Sequence, residues 1–287
     1  MDSTSAIILA VSLAIIMLGM GLSLIAEDFK RIFLEPKSIL IGLTNQLILL
    51  PLIAFGLASI FPLQPEIAVG VMILAACPGG ATSNLIAHLA GADTALSVTL
   101  TAFSSFITIL TIPFIVNFSL EQFLEESNMI QLDVVQTFLQ ILMIIIIPIT
   151  IGMLIRKYKE NFALKMAKPV RIASALILIL VIVGIIIKEK DTLAESFQQA
   201  GLVVITLNLV VMFVGYYSAK MFSINNKRAL SIAIESGIQN GTLGITVAVV
   251  LLGSSQFAVV SAIYGVLMFF TGAAAIYIGS RQRKKQP

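Results

Sequence analysis

Stretches of about 20 residues with almost no charge recur along nearly the whole chain, each long enough to cross a hydrocarbon layer roughly 30 Å thick as a helix. No other feature restricts the fold as strongly. At that depth no water is available to bond backbone N–H and C=O groups, which leaves helices and closed barrels as spanning structures. Alternation of period two, the mark of a barrel strand, is absent, so the chain reads as an all-α polytopic membrane protein. Composition points the same way: 58% of the 287 residues are hydrophobic and 11% charged, with 17 Phe and no Trp, outside the range of soluble domains.

Nine spans can be counted, at about 5–26, 37–61, 66–90, 93–117, 131–155, 170–188, 198–222, 227–252 and 256–279. The loops between them are too short for another domain, so residues 1–287 are expected to form a single transporter unit. The distribution of positive charge tests the count, because lysine and arginine collect on the inside. With the N-terminus outside and the C-terminus inside, all of the 18 Lys and Arg except Lys188 and Lys190 fall in inside loops or the tail. Those two are accompanied by Glu189, Asp191 and Glu195, and the other long outside loop carries Glu121, Glu125 and Glu126. The basic runs "RKYKENFALKMAKPVR" and "RQRKK" therefore read as topology signals and solvated ends, and the net charge of +3 carries no implication of nucleic acid. The first run follows Asp2 instead of a basic region, and no small-residue cleavage site precedes "EDFKR", so a retained span is expected and not a signal peptide. A single cysteine, Cys77, and a single histidine, His88, exclude an internal disulfide and a zinc constellation.

Polar groups inside spans cost free energy unless they meet a partner or a cavity. One carboxylate lies deep in a span, Glu235 in "SIAIESGIQNGTLGITVAVV", where a charge costs about 2.5–3.5 kcal/mol on insertion scales. Gly237 and Gly241 flank Gln239 and Asn240 and interrupt this eighth span, as Pro78, Gly79 and Gly80 interrupt the third in "CPGGATSNLIAHLAGAD". Unwound backbone survives in a membrane only where it lines a cavity or is buried in protein. Matching interruptions in two halves of a transporter point to its binding site, half-helix N-termini favouring anions and freed carbonyls favouring cations. "GATSN" (80–84) and "SGIQN" (236–240) superpose with a shift of 156 residues. Four spans precede the acidic outside loop and five follow it, which fits an inverted repeat whose first half lacks its first helix.

In the fourth span Ser97, Thr101, Ser104 and Thr108 share one helical face. Such hydroxyls commonly bond back to their own helix or across to a neighbour, but four in register beside a broken helix point to a functional role for Ser97 and Thr101. Gln46, in "GLTNQLILLP", is either interhelical glue or a site group, and spacing does not decide between them. Asn208 reads as glue, His88 as a solvated histidine at a helix end. The hydroxyls of Ser83, Ser97 and Thr101, the amide oxygens of Gln46, Asn84 and Gln239, and the Glu235 carboxylate are all hard donors, suited to alkali and alkaline-earth ions. One carboxylate among neutral oxygens is too little charge for a dedicated divalent site and suits Na⁺. A proton-coupled carrier would show a relay of titratable groups, which the spans lack.

The segments "CPGGATSNLIAHLAGADTALSVTLT", "ESGIQNGTLG" and the early "MLGMGLSL" resemble the bile acid:sodium symporter family, and the resemblance runs across almost the whole chain. Its bacterial members of known fold typically have ten helices, and by the resemblance this chain is expected to start at the second, like the nine-helix animal members. The resemblance implies a panel domain (about 5–35 and 131–190) and a core domain (about 37–117 and 195–280) around two broken helices that cross. It implies one Na⁺ site of Ser83, Asn84, Ser97, Thr101 and Glu235, and a second of Gln46, Glu235 and Gln239 with main-chain oxygens of Ser236 and Ile238. It also implies an organic anion near the crossing, around Ala81, Thr82 and Asn240. Some bacterial members have Thr directly after the paired glycines and a His-Asn pair on the last helix, where this chain has Ala81 followed by Thr82 and the apolar run "LMFF" at 267–270.

The expectation is thus a symporter of the plasma membrane (the inner membrane in a Gram-negative source) that imports an organic anion, bile-acid-like or a small carboxylate, with two Na⁺ as coupling ions. Its partners would be that anion and the lipid bilayer, with neither nucleic acid nor an obligate protein partner. The alternatives are a passive channel, which calls for symmetric rings of carbonyls or charges, and a Na⁺-coupled carrier for a keto or hydroxy acid unrelated to bile acids. An enzyme would need a nucleophile with a base, or a carboxylate pair, within the spans, and neither is present.

Overall fold

A computed structural model describes residues 3–124, 132–188 and 193–284. The loop residues Glu125, Glu126, Glu189, Lys190 and Asp191 and the tail residue Lys285 lie outside them. The apolar runs form helices, since a helix satisfies its backbone within the segment, and no strand occurs among the described residues. In chain order the helices are α1 (Ser3–Gly21), α2 (Ala26–Leu34), α3 (Pro36–Ile60), α4 (Pro65–Ala76), α5 (Ala81–Leu89), α6 (Thr94–Phe123) and α7 (Val134–Tyr158). They continue with α8 (Glu160–Lys188), α9 (Leu193–Met221), α10 (Asn226–Gly237), α11 (Gly241–Leu251) and α12 (Gln256–Lys284).

Each expected span falls on one helix or on a broken pair, α4 with α5 for the third and α10 with α11 for the eighth. Among the described residues five helices are long and apolar enough to cross a membrane without interruption: α3, α6, α7 and the larger parts of α9 and α12. A sixth candidate arises if α1 and α2, bent by 66°, count as one. Helix α8 begins at Glu160, ahead of the apolar run that starts near 170, because Ala, Leu, Lys and Met in "FALKMAK" are strong helix formers.

Two prolines shape the long helices. Pro51 and Pro148 have no N–H to donate and their rings crowd the preceding turn. In each case the helix opens into one wide turn just before the proline, at Asn45–Leu49 and Leu142–Ile146. A third wide turn, Val247–Leu251, ends α11.

The helices pack in two sets that also touch each other, α11 on α1, α12 on α8 and α7 on α6. Helix α1 lies along α7 and α8. They approach closely because Gly21 and Gly152 carry no side chain: a Cβ on Gly21 would strike the Ile149 carbonyl, and one on Gly152 the Leu18 carbonyl. In the other set α4 packs on α6 and α12, and α9 on α10 and α12. Helix α2 rests on α6, with Phe29 edge-on to Phe103 and Phe106 at centroid distances of 5.6 and 5.8 Å. Large apolar side chains such as Leu180, Phe213 and Phe270 stand on the outer surface, where a lipid-facing protein presents them.

Candidate ion and substrate site at the crossing of two broken helices

Pro78 and the two glycines after it end α4 and leave Gly80 extended (φ −129°, ψ 176°) before α5 begins. On the other side Ile238 leaves α10 in an extended conformation (φ −107°, ψ 93°), and Asn240 caps α11 by accepting from the Leu243 N–H at 3.1 Å. The two unwound segments pair with each other as a short antiparallel bridge between Gly79 and Gln239, and the Asn240 N–H donates to the Pro78 carbonyl at 2.9 Å. Each break thus satisfies part of the other's backbone, which is how irregular chain is tolerated at this depth. A Cβ on Gly79 would overlap the Glu235 carboxyl and displace it.

Glu235 is 1% exposed, and its carboxylate gathers three hydroxyls from two helices. Ser83 of α5 lies 2.8 Å from Oε2, Ser97 of α6 lies 3.0 Å from Oε2, and Thr101 of α6 lies 2.5 Å from Oε1. The same hydroxyls are drawn elsewhere too. Ser97 and Thr101 lie 2.9 and 3.1 Å from the Asn84 amide oxygen, Ser83 lies 2.6 Å from the Gly80 carbonyl, and Thr101 lies 3.0 Å from the Ser97 carbonyl. Each hydroxyl has one proton, so three protons face seven short oxygen–oxygen contacts. In the surplus contacts a proton is shared between two acceptors or lone pair faces lone pair. A cation relieves that arrangement, and a set of hard oxygens with one net negative charge fits a small monovalent ion.

The five residues expected to share one ion, Ser83, Asn84, Ser97, Thr101 and Glu235, therefore meet. The polar stripe of α6 splits in two, because Ser104 donates to the Thr101 carbonyl at 3.2 Å and Thr108 to the Ser105 carbonyl at 3.2 Å. The second expected set is arranged differently. Gln46, buried in the wide turn of α3, donates to Gln239 Oε1 at 2.7 Å and to the Cys77 carbonyl at 3.0 Å. Gln239 in turn donates to the Ser236 carbonyl at 2.6 Å. Gln46 and Gln239 are thus partners across the two breaks, while the hydrogen bonds of Glu235 all run to the first set. Ala81 is exposed, Thr82 half-buried and Asn240 buried, and His88 stands exposed at the far end of α5.

Tyr264, which spacing did not single out, completes the support of the second break. Its hydroxyl donates to the Gly237 carbonyl at 2.7 Å, and Asn208 Nδ2 donates to the same carbonyl at 2.6 Å and to the Tyr264 oxygen at 2.9 Å. Asn208 is thus the glue expected of it, joining α9, α10 and α12. A lone tyrosine in an apolar helix gave no sequence signal, since only the partner carbonyl gives it a task.

The two half-helices beyond the crossing differ in cover. Residues 241–246 of α11 are buried, held by α12, α4 and α1, whereas α5 packs on α6, α10 and α12 and leaves Ala81, His88 and Leu89 exposed.

Comparison with known proteins gives this geometry a family. Residues 10–196 match the model of the Sodium Bile acid symporter family. An uncharacterized sodium-dependent transporter of Bacillus subtilis, YocS, is 32% identical over 97% of this chain and 85% of its own length. A probable sodium/metabolite cotransporter of Arabidopsis thaliana chloroplasts, BASS1, is 27% identical over 96% of this chain and 67% of its own. The human ileal sodium/bile acid cotransporter is 26% identical over 95% and 78%. These relatives are transporters and not enzymes, and their match extends over nearly all of the helices described above. The chain is an integral membrane protein and a member of the sodium bile acid symporter family.

Proposed function

We propose that this protein imports an organic anion together with two Na⁺ by alternating access across the plasma membrane, through nine crossings with the N-terminus outside and the C-terminus inside. The observation that carries the reading is the surplus of oxygen at Glu235: three hydroxyl protons for seven short contacts, at the point where two broken helices meet. One Na⁺ would be held by Ser83, Asn84, Ser97, Thr101 and Glu235. A second would use Gln46, Gln239, Glu235 and the main-chain oxygens of Ser236 and Ile238, its coordination replacing the N–H···O contacts that now join the two glutamines. The coincidence of every expected span with a helix or broken pair, and the inside bias of Lys and Arg, support the nine-span count.

The panel is α1 with α2, α7 and α8, and the core is α3 to α6 with α9 to α12. Helix α11, buried against α1, is the outer half of its span in this topology, and α5, with its exposed face, is the inner half. This asymmetry supports an inward-facing state. The anion is expected at Ala81, Thr82 and Asn240, where the N-termini of α5 and α11 supply a favourable dipole. Asn240 spends its Oδ1 on the α11 cap and keeps its Nδ2 as the donor it would offer. Two Na⁺ with one monoanion move one net charge inward, worth about 2.3 kcal/mol per 100 mV, or about fiftyfold in accumulation.

The test begins with a thermal-shift screen of organic anions, bile-acid conjugates against keto and hydroxy acids, each with and without Na⁺, followed by uptake of the hits into proteoliposomes. Glu235→Ala should fold and lose Na⁺-driven uptake. Full Na⁺-dependent uptake by that variant overturns the reading.

A further inference from the structure

We infer that Asp93 and Arg228 form a positioning clamp that sets the affinity of the Glu235 site for Na⁺ from two helical turns away; the inference rests on the cation reading of that site. Both residues lie at ends of spans. Asp93 caps α6, accepting from the Leu96 N–H at 3.0 Å, and Arg228 lies in the first turn of α10. Arg228 Nε donates to Asp93 Oδ2 at 3.3 Å, and its Nη2 donates to Glu35 Oε1 at 2.8 Å. Arg31 of α2 closes the group, 3.1 Å from Glu35 and 3.7 Å from Asp93. None of the four side chains is more than 32% exposed, so this network is shielded better than an ordinary surface pair, which is worth little.

Its position along the two helices gives the network its consequence. Arg228, Ser231 and Glu235 follow one another at steps of three and four on α10, and Asp93, Ser97 and Thr101 at steps of four on α6, so each triplet lies on one face. The faces meet rung by rung. Arg228 meets the Asp93 carboxylate, the Ser231 hydroxyl donates to the Asp93 carbonyl at 2.8 Å, the Asp93 N–H donates to the Lys227 carbonyl at 3.3 Å, and Glu235 receives Ser97 and Thr101. Glu235 lies about 10 Å along α10 from Arg228, and Thr101 about 12 Å along α6 from Asp93. A helix transmits an axial slip to its next two turns nearly undiminished. Releasing the first rung therefore lets α10 slide against α6 and spreads the oxygens that surround the ion.

The experiment uses the full-length protein in detergent and reads its thermal stabilisation by NaCl, with choline chloride holding ionic strength constant. Asp93→Asn keeps the helix cap and removes the charge; Arg228→Gln removes the other partner. Each should raise the Na⁺ concentration at half-maximal stabilisation by about tenfold, and the double variant by less than the product of the singles. Arg156→Gln, which breaks the ion pair of Arg156 with Glu160 on α7 and α8, should leave it unchanged. Ser231→Ala removes the middle rung without touching a charge and should raise it about threefold. If the charge variants do not give monodisperse protein, Ser231→Ala decides, and an unchanged half-point overturns the clamp. A lower melting temperature with an unchanged half-point also overturns it, since that is what a merely structural network would show. Glu235→Ala separates the two levels of the argument. If that variant keeps Na⁺ stabilisation, the cation reading itself fails; if it loses it while Asp93→Asn and Arg228→Gln keep the native half-point, the clamp fails alone.

Discussion

Thr101 offers the sharpest test of the oxygen cluster. Its hydroxyl lies 2.5 Å from Glu235 Oε1, 3.1 Å from Asn84 Oδ1 and 3.5 Å from Ser83 Oγ, so one atom touches the carboxylate, the amide and the second hydroxyl. Thr101→Val keeps the shape and the β-branch in α6 and deletes only that oxygen. In the ion-bound state that oxygen would be a ligand, and a hydroxyl contact with a charged group contributes about 1.5–3 kcal/mol. At about 1.4 kcal/mol per decade, Na⁺ affinity should fall by roughly tenfold to a hundredfold. The assay is the NaCl titration of thermal stability, repeated as the Na⁺ dependence of uptake once a transported anion is in hand. Thr101→Ser, which retains the hydroxyl, should recover most of the loss. Thr108→Val deletes a hydroxyl that serves the Ser105 carbonyl and should leave the titration unmoved. A native response from Thr101→Val, or an equal loss from Thr108→Val, would refute the assignment of Thr101 to the ion.

Two further outcomes follow from the crossing. Gly79→Ala places a methyl group into the Glu235 carboxyl, so it should abolish stabilisation by Na⁺, while Gly56→Ala, where a Cβ meets open space, should behave as the native protein. Tyr264→Phe removes one of two donors to the Gly237 carbonyl and should cost about 1 kcal/mol of stability, whereas Asn208→Ala removes the other donor, leaves Tyr264 without its Asn208 contact and opens a cavity, and should cost about 2–3 kcal/mol; comparison of the two melting temperatures checks the order.

Much of the outline was legible because the bilayer imposes it locally. An apolar run of span length has few options other than a helix, and the broken spans announced themselves through Pro78, Gly79, Gly80, Gly237 and Gly241. Glu235 stood out as the one deep carboxylate, since its cost demands partners. Helical period could also place Ser97, Thr101, Ser104 and Thr108 on one face. It could not tell that the first two meet a carboxylate 134 residues or more away while the last two bond back to α6.

That limit is general to this chain. Local pattern determines the class, the spans and the places where helices break, because the cost of exposing backbone to lipid is counted segment by segment. Which broken helix pairs with which, and in what register, depends on contacts between segments far apart in sequence. The bridge of Gly79 with Gln239, the pairing of Gln46 with Gln239 and the hold of Tyr264 on the Gly237 carbonyl exist only once α4, α10 and α12 have packed. Asp93 and Arg228 show the same division most plainly. In the sequence they are charges at the ends of spans; in the folded protein they meet across α6 and α10, one turn from the buried serine and two from the carboxylate that they align.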